Sequence, residues 1–163
     1  MDVTFRANSL RRSLLFDQKK ATGASTPLPL PHRKRVLKDL RRLGVTPFAM
    51  VRAEFDLLPQ LIHPYETIEG IVYGHYSDGF AVLLATNMRV LFVDKKLFFT
   101  REDEVTYDVV SGVSIGKASF FTTVTLHTRV KDYKLRTLNF GCAADFVAYI
   151  ESHRIEKTRG ILL

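Results

Sequence analysis

This sequence predicts a mainly β fold with flanking helices. The expected form is a seven-stranded antiparallel barrel or sandwich, capped by a C-terminal helix and preceded by a helical hairpin. Three observations predict it. Between residues 67 and 140, seven short segments rich in Val, Ile, Thr, Phe and Tyr alternate with brief polar turns. After them, CAADFVAYIESHRIEK sets Ala143, Phe146, Val147 and Ile150 at helical spacing. Ahead of them, residues 33–58 show two apolar stripes of helical period.

The chain opens on LRRSLLFDQKK, which has the pattern of a short helix, followed by the linker-like ATGASTPLPLP. Residues 1–31 are therefore expected to form a loose basic arm. From Arg33 the pattern is helical, with Val36, Leu40 and Leu43 on one side and Arg33, Lys34, Arg35, Lys38, Arg41 and Arg42 filling the rest. Gly44 is placed to end that helix, because glycine tolerates the left-handed conformation after a last turn. Thr46 and Pro47 read as the N-cap and first residue of a second helix. Phe48, Val51, Phe55 and Leu58 would form its stripe, with Pro59 and Pro64 bounding the exit. The organisation expected is an arm (1–31), a helical extension (32–59), a β domain (60–157) and a tail (158–163).

The strands expected are 67–75, 79–86, 89–94, 104–108, 112–117, 120–128 and 133–140. In the sixth, Val124 and Leu126 fall opposite Thr123 and Thr125, as in a strand with one wet face. The hairpin LLATNMRVLFVDKK (83–96) should turn at Asn87, a residue that tolerates a left-handed backbone. Leu91 and Val93 would share a face with Arg89, and Val90 and Phe92 would take the other. Arg89, at a strand start, is expected to make an ion pair or a carbonyl contact.

Composition narrows the function. The longest apolar run, Phe80–Ala85, is far short of the roughly 18–20 residues that span a bilayer. No apolar segment of a secretory signal follows Met1, so a cytoplasmic protein is expected. The one cysteine, Cys142, excludes a disulfide framework within the chain and a multi-cysteine metal site. Its position near a helix start would lower its pKa, whereas an apolar helix face would make it a small core residue. The five histidines show no metal-ligand spacing, and no GxSxG, HExxH or phosphate-binding glycine loop occurs. No catalytic residue, cofactor or metal is expected, and the chain reads as a non-enzyme.

The net charge of +7 is unevenly placed. Residues 1–59 hold twelve Lys/Arg against five Asp/Glu, while residues 60–163 hold twelve of each. Such asymmetry fits an arm that meets an anionic partner, and equally an arm that docks on its own body.

Three stretches carry a family resemblance: HPYETIEGIVYG, where a glutamate opens the first strand, LLATNMRVLFVDKK, and EVTYDVVSGVSI. In this order, and followed by one helix, they resemble the bacterial pleckstrin-homology-like domains related to GRAM domains, over roughly residues 60–155. The resemblance implies a PH-like barrel that binds lipids, proteins or its own copies without catalysis. In lipid-binding members the loop between the first two strands carries several Lys and Arg. Here it reads His75-Tyr76-Ser77-Asp78-Gly79, which lacks the charge-assisted donors that phosphates require. Specific phosphoinositide binding is therefore not expected.

The candidate anion- or partner-binding residues are Arg33, Lys34, Arg35, Lys38, Arg41 and Arg42 on the basic helix, with Lys95 and Lys96 on the hairpin. Glu102, Asp103 and Glu104 follow that hairpin and oppose an anionic ligand. The helix lacks aromatic interleaving and any nucleic-acid motif, which argues against nucleic acid. Two readings stand. One is protein–protein interaction or self-association through an edge strand or the helical hairpin. The other is peripheral attachment to an anionic membrane, at its inner face, through the basic helix.

Overall fold

The computed structural model describes residues 30–160, with side chains from His32 to Arg154. Residues 1–29, nearly all of the expected arm (1–31), and the last three residues lie outside the described part. Helix α1 spans Leu30–Arg42, α2 Pro47–Met50 and α3 Ala53–Leu61. Strands β1 (Ile68–Tyr76), β2 (Gly79–Thr86), β3 (Arg89–Lys95), β4 (Thr100–Thr106), β5 (Val110–Lys117), β6 (Thr122–Thr128) and β7 (Asp132–Thr137) follow. Helix α4 (Phe140–Gly160) ends the described chain.

The seven strands form one antiparallel sheet in the order β4-β3-β2-β1-β7-β6-β5. The two halves meet at β1 and β7, where His75 pairs with Arg136. Gly74 lets them close: it has φ +156°, and a Cβ there would lie 2.0 Å from the Arg136 carbonyl oxygen. The sheet curls around a core of Val72, Leu83, Val90, Phe92, Val124, Leu126 and Leu135, and α4 adds Ala143, Phe146 and Ile150 to it. The apolar period expected of the last helix is thus what fills the barrel.

Strands β1–β3 are apolar on both faces. Alternation puts Ile71, Tyr73, Val82, Leu84, Leu91 and Val93 on the outside of the barrel, where Val36, Leu40, Phe55, Leu58 and Ile62 cover them. Every residue of this outer cluster is buried, so the helices of the first third share a core with the sheet.

Several elements differ from expectation. The first helix starts at Leu30 and ends as foreseen, with Gly44 at φ +83°. Thr46 does cap the next helix, accepting from Ala49 N at 3.3 Å. That helix stops after one turn because Arg52 is extended (φ −74°, ψ 146°) and redirects the chain into α3. The stripe therefore breaks: Phe55 and Leu58 are buried, but Phe48 and Val51 are 76% and 78% exposed. Pro59 lies inside α3, and its carbonyl accepts a hydrogen bond from the buried His32 Nε2 at 3.0 Å.

Strand β4 begins at Thr100, not residue 104, because its stretch TREDEVT is too charged to show a strand pattern. Residues 120–121 and 138–140 are not in strands, and Phe120, Leu138 and Phe140 are exposed.

The hairpin turn is built differently from expectation. Asn87 does not have a positive φ; among the described non-glycine residues only Ser77 does. Thr86 Oγ1 closes the turn by accepting from Met88 N and Arg89 N, each at 3.1 Å. Asn87 reaches across to Thr67, accepting from its N–H at 3.0 Å and donating its own N–H to the Thr67 carbonyl.

Arg89 makes the contacts expected of it. Its guanidinium donates to both carboxylate oxygens of Glu66, at 2.8 and 3.3 Å, and to the Leu61 carbonyl at 3.0 Å; it also pairs with Glu104. Glu66 is 1% exposed and also accepts from His63 N at 2.9 Å. One side chain so ties the end of α3 to the start of β3.

Two outcomes test this arrangement. Arg89→Met strands a buried carboxylate and should cost about 3–5 kcal/mol in chemical denaturation; Glu66→Gln in the same chain should recover part of that loss. A fragment beginning at residue 60 uncovers the outer face, whose large side chains each contribute about 1.5–3 kcal/mol. That sum exceeds an ordinary domain stability of about 5–15 kcal/mol. The fragment should lose its cooperative unfolding transition and aggregate, as read by calorimetry and light scattering.

Candidate binding surfaces

The basic helix divides by direction. Its apolar side is fully buried at Val36 and Leu40. Arg33 lies 3.4 Å from Asp56, Arg35 donates to the Pro64 and His63 carbonyls at 2.6 and 3.2 Å, and Arg42 donates to the Ile68 carbonyl at 3.2 Å. These three arginines bind α1 to α3 and to the start of β1. Lys34, Lys38 and Arg41 are exposed at i, i+4 and i+7, and none has a partner among the described residues.

The lysine pair divides likewise. Lys96 Nζ lies 3.1 Å from Asp78 and 3.3 Å from the buried Asp94. Burial disfavours its charge, but the two carboxylates outweigh that and raise its pKa, while the same contact lowers that of Asp78. The loop after β1 thus meets Lys96 with an acid, and the ammonium is engaged within the protein. Lys95 is half-buried and has no charged partner among the described residues. The structure does not gather the eight residues into one cationic face; it leaves Lys34, Lys38, Arg41 and Lys95 available.

Sequence reasoning missed the surface beside that pair. The loop between β3 and β4 carries Leu97 and Phe98, each 95% exposed, and Phe99, 60% exposed. The strand register puts this loop at the same end as the β1–β2 and β6–β7 loops, and Val130 on the latter is 84% exposed. Lys131 Nζ, 2.6 Å from Asp103 of β4, ties the β6–β7 loop to this end. The signal was present in KKLFFTR, three consecutive apolar residues between strands, but attention to its charges hid it.

A second arrangement was also absent from the sequence reading. Ser114 Oγ stands 3.0 Å from His127 Nε2, and His127 Nδ1 stands 3.0 Å from Asp132. The order is that of a nucleophilic triad. It is open to water, with the His127 and Asp132 side chains 41% and 55% exposed. It reads as a surface hydrogen-bond chain. Among the described residues no group of three or more His, Cys, Asp or Glu could hold a metal ion.

Of the two roles open to Cys142, the structure shows the small core residue. Its thiol lies 3.0 Å from the Leu43 carbonyl, buried between α4 and the end of α1. Burial, with the Asp145 charge, pushes its pKa up to about 11, despite its place in the first turn of α4.

A curled seven-stranded antiparallel sheet closed by one C-terminal helix, with exposed loops at one end, defines a pleckstrin-homology-like domain, a class that commonly mediates binding. The chain belongs to the bacterial PH domain family, whose model matches residues 62–152. Two similar solved structures are a DUF1696 family protein with a pleckstrin-homology domain from Shewanella loihica PV-4 and a pleckstrin homology domain from Shewanella amazonensis SB2B. The first is 16% identical, covering 51% of this chain and 73% of that one, with a TM-score of 0.33. The second is 12% identical, covering 53% and 79%, with a TM-score of 0.34. A comparison with curated proteins found no match. Among the described residues no helix is long and apolar enough to cross a membrane.

The thiol gives a direct check. Cys142 should react with a thiol-exchange reagent at pH 8 only as fast as the protein unfolds, and at the rate of a free thiol once denaturant is added. Fast labelling of the folded chain would contradict the burial.

Proposed function

We propose that this protein is a non-catalytic docking module that binds another protein surface, a second copy of itself in the simplest case, through the tip formed by Leu97, Phe98, Phe99 and Val130. The observation that carries the reading is the 95% exposure of Leu97 and Phe98. Exposed apolar side chains on loops at one end of a sheet, with polar residues around them, are the anatomy of an interface.

Charge distinguishes a protein from a bilayer here. Lys95, Lys96, Arg101, Arg129 and Lys131 around the tip are matched in number by Asp78, Asp94, Glu102, Asp103 and Asp132. Several of these pair with one another, including Arg101 with Asp103 at 3.1 Å and Lys131 with Asp103 at 2.6 Å. A rim that is neutral as a whole gains little from an anionic membrane, whereas a mixed rim suits a mixed partner. A cytoplasmic place fits this reading.

A second reading is favoured by the unpartnered stripe Lys34, Lys38 and Arg41. On an anionic membrane each would contribute about 1 kcal/mol at low salt. Attachment by three such groups is weak and vanishes as salt rises.

One experiment separates the two. The full chain should show concentration-dependent association by light scattering between about 5 and 200 µM, the range of interfaces worth roughly 6–7 kcal/mol. Leu97→Ser with Phe98→Ser should abolish it without lowering stability, since neither side chain packs in the core. A strictly monomeric wild type removes the self-association reading. Flotation with phosphatidylglycerol vesicles that is lost in Lys34→Ala/Lys38→Ala/Arg41→Ala, and kept in the tip variant, would establish the second reading in its place.

A further inference from the structure

A cavity of about 500 Å³ opens between α2 and the seam where β1 meets β7. Its volume lies within the range of roughly 300–1,000 Å³ typical of small-molecule sites. Phe48, Phe80, Leu138 and Phe140 supply apolar wall, and no acidic residue lines it. Phe48, Leu138 and Phe140 are 76%, 85% and 47% exposed, so this wall has no cover among the described residues.

Two arginines stand on the rim. The Arg52 guanidinium lies 5.1 Å from the Phe80 ring centroid and 5.9 Å from that of Phe48. Arg136 lies 5.5 Å from the Phe121 ring. Neither has a carboxylate partner among the described residues. Both arginines line the cavity, and contact with an aromatic ring does not neutralise either.

An unused donor supplies the third observation. Tyr73 is 8% exposed and lines the cavity together with Thr46 and Asn139. Its hydroxyl oxygen accepts from Thr46 N at 3.3 Å and from Asn139 Nδ2 at 2.9 Å. The orientation of that amide is set, because Nδ2 also donates to the Gly44 carbonyl and Oδ1 accepts from Cys142 N. The hydroxyl proton of Tyr73 therefore has no acceptor among the described residues. A buried donor left over in a cavity that two unpaired cations also line suits an anionic acceptor.

We propose that this groove is a binding site for an amphiphilic carboxylate, with its apolar chain against Phe48, Phe80, Leu138 and Phe140 and its carboxylate between the Tyr73 hydroxyl and the two arginines. A polyanion is a poor fit, since two arginines are too few to neutralise it. The chain's own residues 1–29 are also a poor fit, because they hold five Lys/Arg against two Asp/Glu and would meet like charge.

The probe is decanoate below its micellar concentration, added to isotopically labelled full chain and followed by amide chemical shifts. Saturable shifts are expected at Gly74, His75, Leu138 and Asn139. Decyltrimethylammonium, with the same tail and opposite head, should bind at least about tenfold more weakly. Arg52→Gln with Arg136→Gln, both at exposed positions, should weaken decanoate by about tenfold or more, as loss of charged hydrogen bonds does. The Leu97→Ser/Phe98→Ser chain should bind decanoate as the wild type does, which keeps this site separate from the docking tip. No saturable shift, equal affinity for the ammonium amphiphile, or an unchanged affinity in the double arginine variant would each overturn the proposal. So would perturbation of these amides by phosphatidylglycerol vesicles alone, which would assign the groove to a lipid surface.

Discussion

The structure depends on one constraint: β2 and the neighbouring parts of β1 and β3 bury both faces. Leu83 and Leu84 are adjacent in the chain, point to opposite sides of the sheet, and are both 0% exposed. Leu83 belongs to the barrel interior, which α4 completes. Leu84 faces outward and would be wet if the barrel stood alone, so something must cover it. Helices α1 and α3 do, and the first third of the chain follows from that need. Its helices are amphipathic because they must lie on an apolar wall and still face water.

Polar contacts then fix where the cover sits. Apolar burial has no direction, whereas the Arg89 guanidinium reaches Glu66, the Leu61 carbonyl and Glu104 from one position. Arg35 and Arg42 do the same from α1, by donating to carbonyls at the end of α3 and the start of β1. Of the six cations on α1, Arg33, Arg35 and Arg42 are thus engaged within the molecule. That changes the meaning of a net charge of +7 concentrated there. Lys34, Lys38 and Arg41 are the cations of α1 with no partner among the described residues.

The binding surfaces arise where the folding rules stop applying. Leu97 and Phe98 sit in a loop with no core beneath it, so their exposure has no folding explanation. The groove beside α2 exists because Arg52 turns the chain and leaves Phe48 outside the helical cover. It also exists because β7 ends at Thr137, which releases Leu138 and Phe140 from the sheet. At the loop after β1 itself, Asp78 holds Lys96, and that loop carries no Lys or Arg to meet a phosphate.

By itself the sequence determined the order and type of nearly every element, because period-two and period-3.6 patterns are local. The seven strands, the glycine stop at Gly44, the Thr46 cap and the apolar side of α4 could all be read from neighbours in the chain. So could the contact type of Arg89, a cation starting a strand that is otherwise apolar. Charged β4 was misplaced because TREDEVT pairs with β3 through its backbone, and a ladder leaves no mark on side-chain identity. Only the tertiary structure decided which cations are committed, what Cys142 faces, and that the outer wall is covered. The groove likewise needed residues near 50, 75 and 138 brought together by the β1–β7 seam. Local pattern records which side of an element is apolar; what that side meets depends on long-range register and packing, which no short stretch contains.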